Sequence, residues 1–401
     1  MTVQNPPRVS GRPPLRPALI VVALVLVAFN LRTTVSSLPP LLGEIEREAH
    51  LSGVLAGLLT ALPVLCMAFL APGAHRLAHR FGREVVTLVS IALIAAGNGL
   101  RVLGSVPLAL FGATVVAGVG VAVAGVVIPS LVKDLTRSRA GTVTGAYTVA
   151  MMLGAAVAST IAVPLRSALG SWQWSLAAWA APALLATVAW TAVTLRPAEP
   201  GDDNNDGPGR LPWRSRAAWL LAGFLGLQSA LAYAYIAWLP PAYEARGWSP
   251  ASAGVLLGVN FVAQLACAVV APALADRADD PRRLIAAVVA CTVIGAAWLL
   301  VVPEVLPWVA SCVLGIGLGG GFSLGLAVIV GYAADAGASS RLTALVFLIC
   351  FTMGAAAPVL VGGLRDLTGG LTVPFALLLA LAAGQLLIGT RLSPAYRGTV
   401  S

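Results

Sequence analysis

Twelve stretches of this chain are apolar over lengths that would cross a bilayer, and no water-soluble core could hide them all. They run over about 17–40, 52–74, 85–104, 108–132, 141–164, 173–195, 217–241, 251–274, 284–302, 308–332, 342–364 and 371–390. The composition agrees: 58% of residues are hydrophobic, 10% are charged, and the mean hydropathy is +0.90. This predicts an all-α membrane protein with twelve transmembrane helices. After Arg8, Arg12 and Arg16 the first apolar run continues with no small-residue cleavage site before Arg32, so it reads as a retained span and not a signal peptide.

The net charge of +9 comes from 24 Arg and Lys133. A basic patch for nucleic acid is the first alternative, but the distribution of these residues fits membrane topology better. Nineteen lie on the side of the N-terminus, five on the opposite side (Arg47, Arg101, Arg166, Arg246 and Arg365), and Arg32 lies within a span. Positive-inside bias then places both termini and the long hydrophilic stretch 196–216 in the cytoplasm, in a multi-pass inner (plasma) membrane protein. That stretch holds Gly201-Asp202-Asp203-Asn204-Asn205-Asp206-Gly207-Pro208-Gly209, which cannot bury a core and reads as a flexible linker.

The spans on either side of the linker repeat. A shift of 197 residues aligns Ser52 with Ser249, Ala56-Gly57 with Ala253-Gly254, and Gly118-Val119-Gly120 with Gly315-Ile316-Gly317. A shift of 200 aligns Gly154-Ala155-Ala156 with Gly354-Ala355-Ala356. The expected organisation is a cytoplasmic tail 1–16, a six-helix bundle 17–195, the linker 196–216, a second six-helix bundle 217–390 and a cytoplasmic tail 391–401. Paired six-helix repeats suit a transporter that rocks one half against the other around a midplane site.

Polar residues inside the spans are the candidates for that site. Arg32 lies sixteen residues beyond Arg16, about 24 Å along a helix, which puts it near the midplane or in the far half of the hydrocarbon. A guanidinium at that depth normally faces protein or a water-lined cavity, and its forked donors suit a small anion, a carboxylate or a nitro group. The competing reading has Arg32 snorkelling or pairing with Glu44, Glu46 or Glu48, about 18 Å or more further along a continuous helix. Asn30 points elsewhere on the same helix. Tyr147 in span 5, Gln228 and Tyr233 in span 7, and Asn260 with Gln264 in span 8 line a candidate cavity wall or bond helix to helix. Aligning Leu38-Pro39-Pro40 with Leu239-Pro240-Pro241 brings Tyr233 opposite Arg32. Asn98 and Arg101 share a face near the outer end of span 3, where Arg101 reads as snorkelling to the interface.

Several features point to other chemistry and fall short of it. Gly118-x-Gly120 and Gly315-x-Gly317-x-Gly319-Gly320-Gly321 sit in apolar spans without the strand-turn-helix context of a phosphate loop, and read as close packing. His50, His75 and His79 lie in loops without a metal-ligand set, and the five cysteines fall inside apolar runs as buried free thiols. No cofactor, metal or enzymatic constellation is expected. No carboxylate is visible inside a span; Glu44, Asp134, Glu304, Asp335 and Asp366 stand at the edges, so facilitated diffusion, exchange and proton coupling stay open.

Arg76-Leu77-Ala78-His79-Arg80-Phe81-Gly82-Arg83 and Ala273-Leu274-Ala275-Asp276-Arg277 resemble the cytoplasmic loop motif of the major facilitator superfamily. The resemblance implies a conformational latch at Arg80, Arg83, Asp276 and Arg277, with His79 standing where the first copy would carry its acid. Plain positive-inside loops are the other reading. Asn30-Leu31-Arg32 with Pro39, Leu59-Thr60-Ala61-Leu62-Pro63-Val64-Leu65-Cys66, Ile128-Pro129-Ser130-Leu131-Val132-Lys133, Gly145-Ala146-Tyr147-Thr148 and Leu364-Arg365-Asp366-Leu367-Thr368-Gly369-Gly370 resemble, within it, the cyanate permease and 2-nitroimidazole transporter family. The resemblance implies the major facilitator fold, usually monomeric, moving a small anionic or nitro-type polar solute by alternating access. An exporter of the same fold with Arg32 as a gate is the alternative, and a membrane-embedded enzyme or sensor a remote one.

Overall fold

The computed structural model describes residues 17–135, 140–195, 211–275, 277, 281–392, 396 and 398–400. The first part of the chain forms α1 (Pro17–Ser36), a short α2 (Leu42–Glu48), α3 (Gly53–Phe81), α4 (Arg83–Leu100), α5 (Pro107–Leu135), α6 (Ala140–Leu169), and α7 (Trp172–Ala177) with α8 (Ala180–Thr194). The second part forms α9 (Arg216–Glu244), α10 (Pro250–Ala275), α11 (Pro281–Val301), α12 (Pro307–Tyr332), α13 (Ala336–Thr368) and α14 (Thr372–Thr390). Among the described residues these make twelve segments long and apolar enough to span a membrane, α1 and α2 sharing one and α7 and α8 another. Residues 196–210 of the expected linker, and Asp276 of the expected latch, lie outside the described residues.

Local chemistry sets the ends. Pro39 and Pro40 cannot continue the α1 ladder, and the chain passes through a 3-10 turn at Pro39–Leu41 before α2. Ser52, Ser215 and Asp335 cap α3, α9 and α13 by accepting from Leu55 N, Ala218 N and Ala338 N. Gly82, at φ +84°, takes the left-handed turn between α3 and α4 that a side chain would strain.

The repeat recurs in the packing. Gly118 of α5 lies against Pro63 and Cys66 of α3; Gly315 of α12 lies against Asn260 and Ala263 of α10, each residue displaced by 197. One buried core is drawn from residues 20–193 and another from 217–400, while a third takes side chains from both sides of the linker. The seam between the two sets of spans is formed by α3 with α13 and by α6 with α10. These two contacts are related by the same repeat: Gly57 packs on the backbone of Pro358 and Val359, and Gly254 on the Ser159 carbonyl and Pro40. Without a hydrophobic driving force between helices in lipid, such close backbone approach supplies the dispersion contact that holds them.

Polar bonds across this seam gather at its far end, opposite the helix ends that lead to the linker. Asp366 Oδ1 accepts from Gly53 N at 2.9 Å and Oδ2 from Val54 N at 3.1 Å. With Ser52 Oγ on Leu55 N, the first three free N–H groups of α3 are satisfied, two of them by the other half of the molecule. Arg365 donates to Glu46 Oε1 at 2.6 Å, and its Cζ lies 5.1 Å from the centre of the Trp238 ring. Trp238 in turn donates to the Pro358 carbonyl at 2.9 Å.

Asp366→Ala strips the α3 N-terminus of both acceptors and should destabilise the seam by about 1 kcal/mol, as for other lost N-terminal caps. Thermal unfolding in detergent should show a lower midpoint, with Asp366→Asn closer to wild type. An unchanged midpoint for Asp366→Ala would show that the bond contributes nothing.

Candidate functional site

Arg32 projects from the last part of α1, half-buried between buried Leu31 and Thr33. Its Cζ lies 6.0 Å from the centre of the Tyr233 ring of α9, across the seam. Tyr147 of α6 is within electrostatic reach of the same guanidinium. The approach of α6 to α1 explains why Tyr147 belongs here: Gly154 sits directly against the Phe29 backbone, so α6 packs on the turn preceding Arg32. On the other side, Gly354 of α13 leaves room for the Tyr233 ring and the Ser229 hydroxyl. Arg166 pairs with Glu44 and Arg365 with Glu46, whereas Arg32 has no carboxylate partner among the described residues. An unpaired, forked cation between two tyrosine side chains can bind an anion or a nitro group through charge-assisted hydrogen bonds.

The other expected site residues are used differently. Asn30 lies roughly 200° around α1 from Arg32. It is fully buried and donates to the carbonyls of Leu26 at 2.8 Å and Pro182 at 3.1 Å, tying α1 to α8. Gln228 is also fully buried, donating to the Leu318 carbonyl and accepting from Gln385 Nε2. Asn260 donates to the Ser311 carbonyl and accepts from Gln264 Nε2, both at 2.8 Å. Their amides fasten helices together in this conformation, because buried amides must find partners and neighbouring backbones supply them. Of the expected latch residues, Arg80 and Arg277 are exposed, and Arg80 stacks on its own neighbour Phe81. Arg83 begins α4.

Arg101 corrects a second expectation. It does not snorkel outward but is 0% exposed, and its Nη1 donates to the Thr34 carbonyl of α1 at 3.2 Å. Asn98 Nδ2 donates to Thr34 Oγ1 at 3.2 Å, so the shared face of α4 grips the end of α1.

Sequence reasoning also missed Glu244. This last residue of α9 turns across the seam onto Gly43, and its Oε1 is buried without a partner. It borders a far-end cavity of about 390 Å³ shared with Glu44, Arg47, Glu48 and Arg166. The signal available in the sequence was weak: an acid after Pro240-Pro241 reads as loop, whereas the helix continues through both prolines to Glu244.

The Major Facilitator Superfamily family model matches residues 20–358. The chain is 33% identical over 373 residues to the uncharacterized transporter YycB of Bacillus subtilis (strain 168), covering 91% of this chain and 92% of that protein. It is 30% identical over 375 residues to the cyanate transport protein CynX of Escherichia coli (strain K12), covering 94% and 97% respectively. It is 32% identical over 358 residues to the 2-nitroimidazole transporter of the same organism, covering 89% and 90%. A bacterial homologue of the human lysosomal transporter Spinster, in an inward-facing and unoccupied conformation, superposes with a TM-score of 0.78 at 14% identity, over 96% of this chain and 99% of that one. A D-xylose-proton symporter gives 0.74 at 13% identity, over 96% and 99%; these two likenesses show the fold alone. The twelve spans, their internal repeat and these matches together make the chain a member of the major facilitator superfamily, a membrane transporter and not an enzyme.

Proposed function

We propose that the protein moves a small anionic or nitro-type polar solute, cyanate-like in size and charge, across the cytoplasmic membrane by alternating access. The observation that carries this reading is Arg32, a membrane-depth guanidinium with no carboxylate partner among the described residues, facing Tyr233 from the other half of the molecule. The names of two relatives, a cyanate transport protein and a 2-nitroimidazole transporter, support the same solute class.

The mechanism follows from where the groups sit. The bundles 17–195 and 217–390 act as the rocking bodies, and the solute binds on their boundary. A cation about 6 Å from an aromatic face is held weakly, so a small planar anion can take over the guanidinium's donors while the tyrosines enclose it. Binding neutralises Arg32 and removes the electrostatic cost of closing the cavity around it. The far-end contacts of Asp366 and Arg365 support a conformation in which the two halves are held together on that side. Positive-inside bias makes the linker side cytoplasmic, so these contacts would form the outer gate.

Purified protein in liposomes should take up labelled cyanate saturably, above protein-free vesicles, and the response to an imposed pH gradient will tell whether protons are coupled. Arg32→Gln should lower cyanate uptake at low concentration by about tenfold or more, the worth of a charge-assisted hydrogen bond, while the folded protein remains in the membrane. Uptake by Arg32→Gln equal to wild type would remove Arg32 from the solute site.

Tyr233→Phe keeps the aromatic face over Arg32 and should stay within about threefold of wild type, whereas Tyr233→Leu should lose most uptake. Equal loss in both variants would assign the effect to the hydroxyl instead of the ring.

A further inference from the structure

The interior of the first six spans holds a second arginine that the proposed site does not use. Arg101 is among the largest fully buried side chains, with only Nη1 bonded, to the Thr34 carbonyl. Its Nε and Nη2 are buried without partners, as is Asn98 Oδ1 beside it. No carboxylate acts on it among the described residues. This stands against the molecule's own habit at the far end, where Arg166 and Arg365 each meet a glutamate.

Capping α1 explains the hydrogen bond but not the charge. Thr34 carries one of the free carbonyls in the last turn of α1, and a cation there gains from the helix dipole. A neutral donor would satisfy the same carbonyl, as Asn98 already does for the neighbouring Thr34 hydroxyl. An enclosed, uncompensated guanidinium is costly to insert and costly to keep dry, and such groups in transporters mark ion or solute pathways.

We infer that Arg101 is a second fixed cation of the anion pathway, a specificity-determining residue that favours a negative solute at Arg32 through space without touching it. The inference rests on the reading of Arg32 as the solute's charge partner. Thr34 follows Arg32 by two residues, so the Arg101 charge lies about 10–15 Å from a solute held at Arg32. Water is excluded around Arg101, so its field is weakly screened. At an effective dielectric constant of about 20, a unit charge at that distance changes the affinity for a monovalent anion by about tenfold. The two arginines thus select by sign before any hydrogen bond selects by shape.

The test compares wild type, Arg101→Gln and Arg101→Lys as full-length protein. Cyanate binding is read from concentration-dependent thermal stabilisation in detergent, and KM and maximal rate from uptake in liposomes. Glutamine still offers an N–H to Thr34, so Arg101→Gln should unfold at a temperature no lower than wild type while its KM for cyanate rises about tenfold and its maximal rate holds. Arg101→Lys should restore the affinity. An unchanged KM in Arg101→Gln, or a lowered unfolding temperature that lysine fails to rescue, would reduce Arg101 to a helix cap and overturn the inference. Wild-type protein that neither binds nor transports cyanate would instead bring down the reading of Arg32, and this inference with it.

Discussion

A guanidinium held away from water must find an opposite charge, an aromatic face or a functional reason to be there, and this constraint organises the molecule from its centre outward. At the far end the solution is ordinary: Arg166 meets Glu44 and Arg365 meets Glu46, both at 2.6 Å. Arg32 finds instead a tyrosine ring across the seam, and Arg101, just past the end of α4, a single backbone carbonyl. These two cations meet no carboxylate among the described residues.

The frame that holds these charges is built from small residues. Gly57 and Gly254, related by the repeat, let backbones of opposite halves touch, and Gly154 does the same for α1 and α6. Closeness of this kind makes the seam sensitive to any added side chain. Polar contacts then act where the packing ends. Asp366 serves as a helix cap supplied by the other half, and its neighbour Arg365 forms an ion pair and an aromatic contact from the adjacent position. Two consecutive residues of the Leu364-Arg365-Asp366 stretch thus span the boundary together.

Buried amides illustrate how similar residues acquire different duties. Asn30, Gln228 and Asn260 sit at depths where lipid would reject them, as Arg32 does. A carboxamide carries both donor and acceptor and is satisfied by any nearby backbone carbonyl or second amide, so the three became bonds between α1 and α8, α9 and α12, and α10 and α12. Arginine offers donors alone and carries a charge that a carbonyl only partly balances, which is why Arg32, and not these amides, is the proposed partner of the solute.

The sequence alone determined the twelve spans and their repeat, because hydrocarbon thickness and apolar run length are local properties read one segment at a time. Arg32 was legible for the same reason: its depth follows from counting residues along one helix. The direction in which a side chain points, and what meets it, was decided only by tertiary structure. Arg101 reads as snorkelling outward until α4 packs on the end of α1 and turns it inward. Glu244 reads as a loop acid until α9 runs through its two prolines and lays it on Gly43. The polar closure formed at the far end from Arg365 and Asp366, residues whose partners lie more than 300 positions away in the chain. Helix rotation in a bundle is set by the packing of all neighbours at once, and that sum is carried by the folded structure and not by any single stretch of sequence.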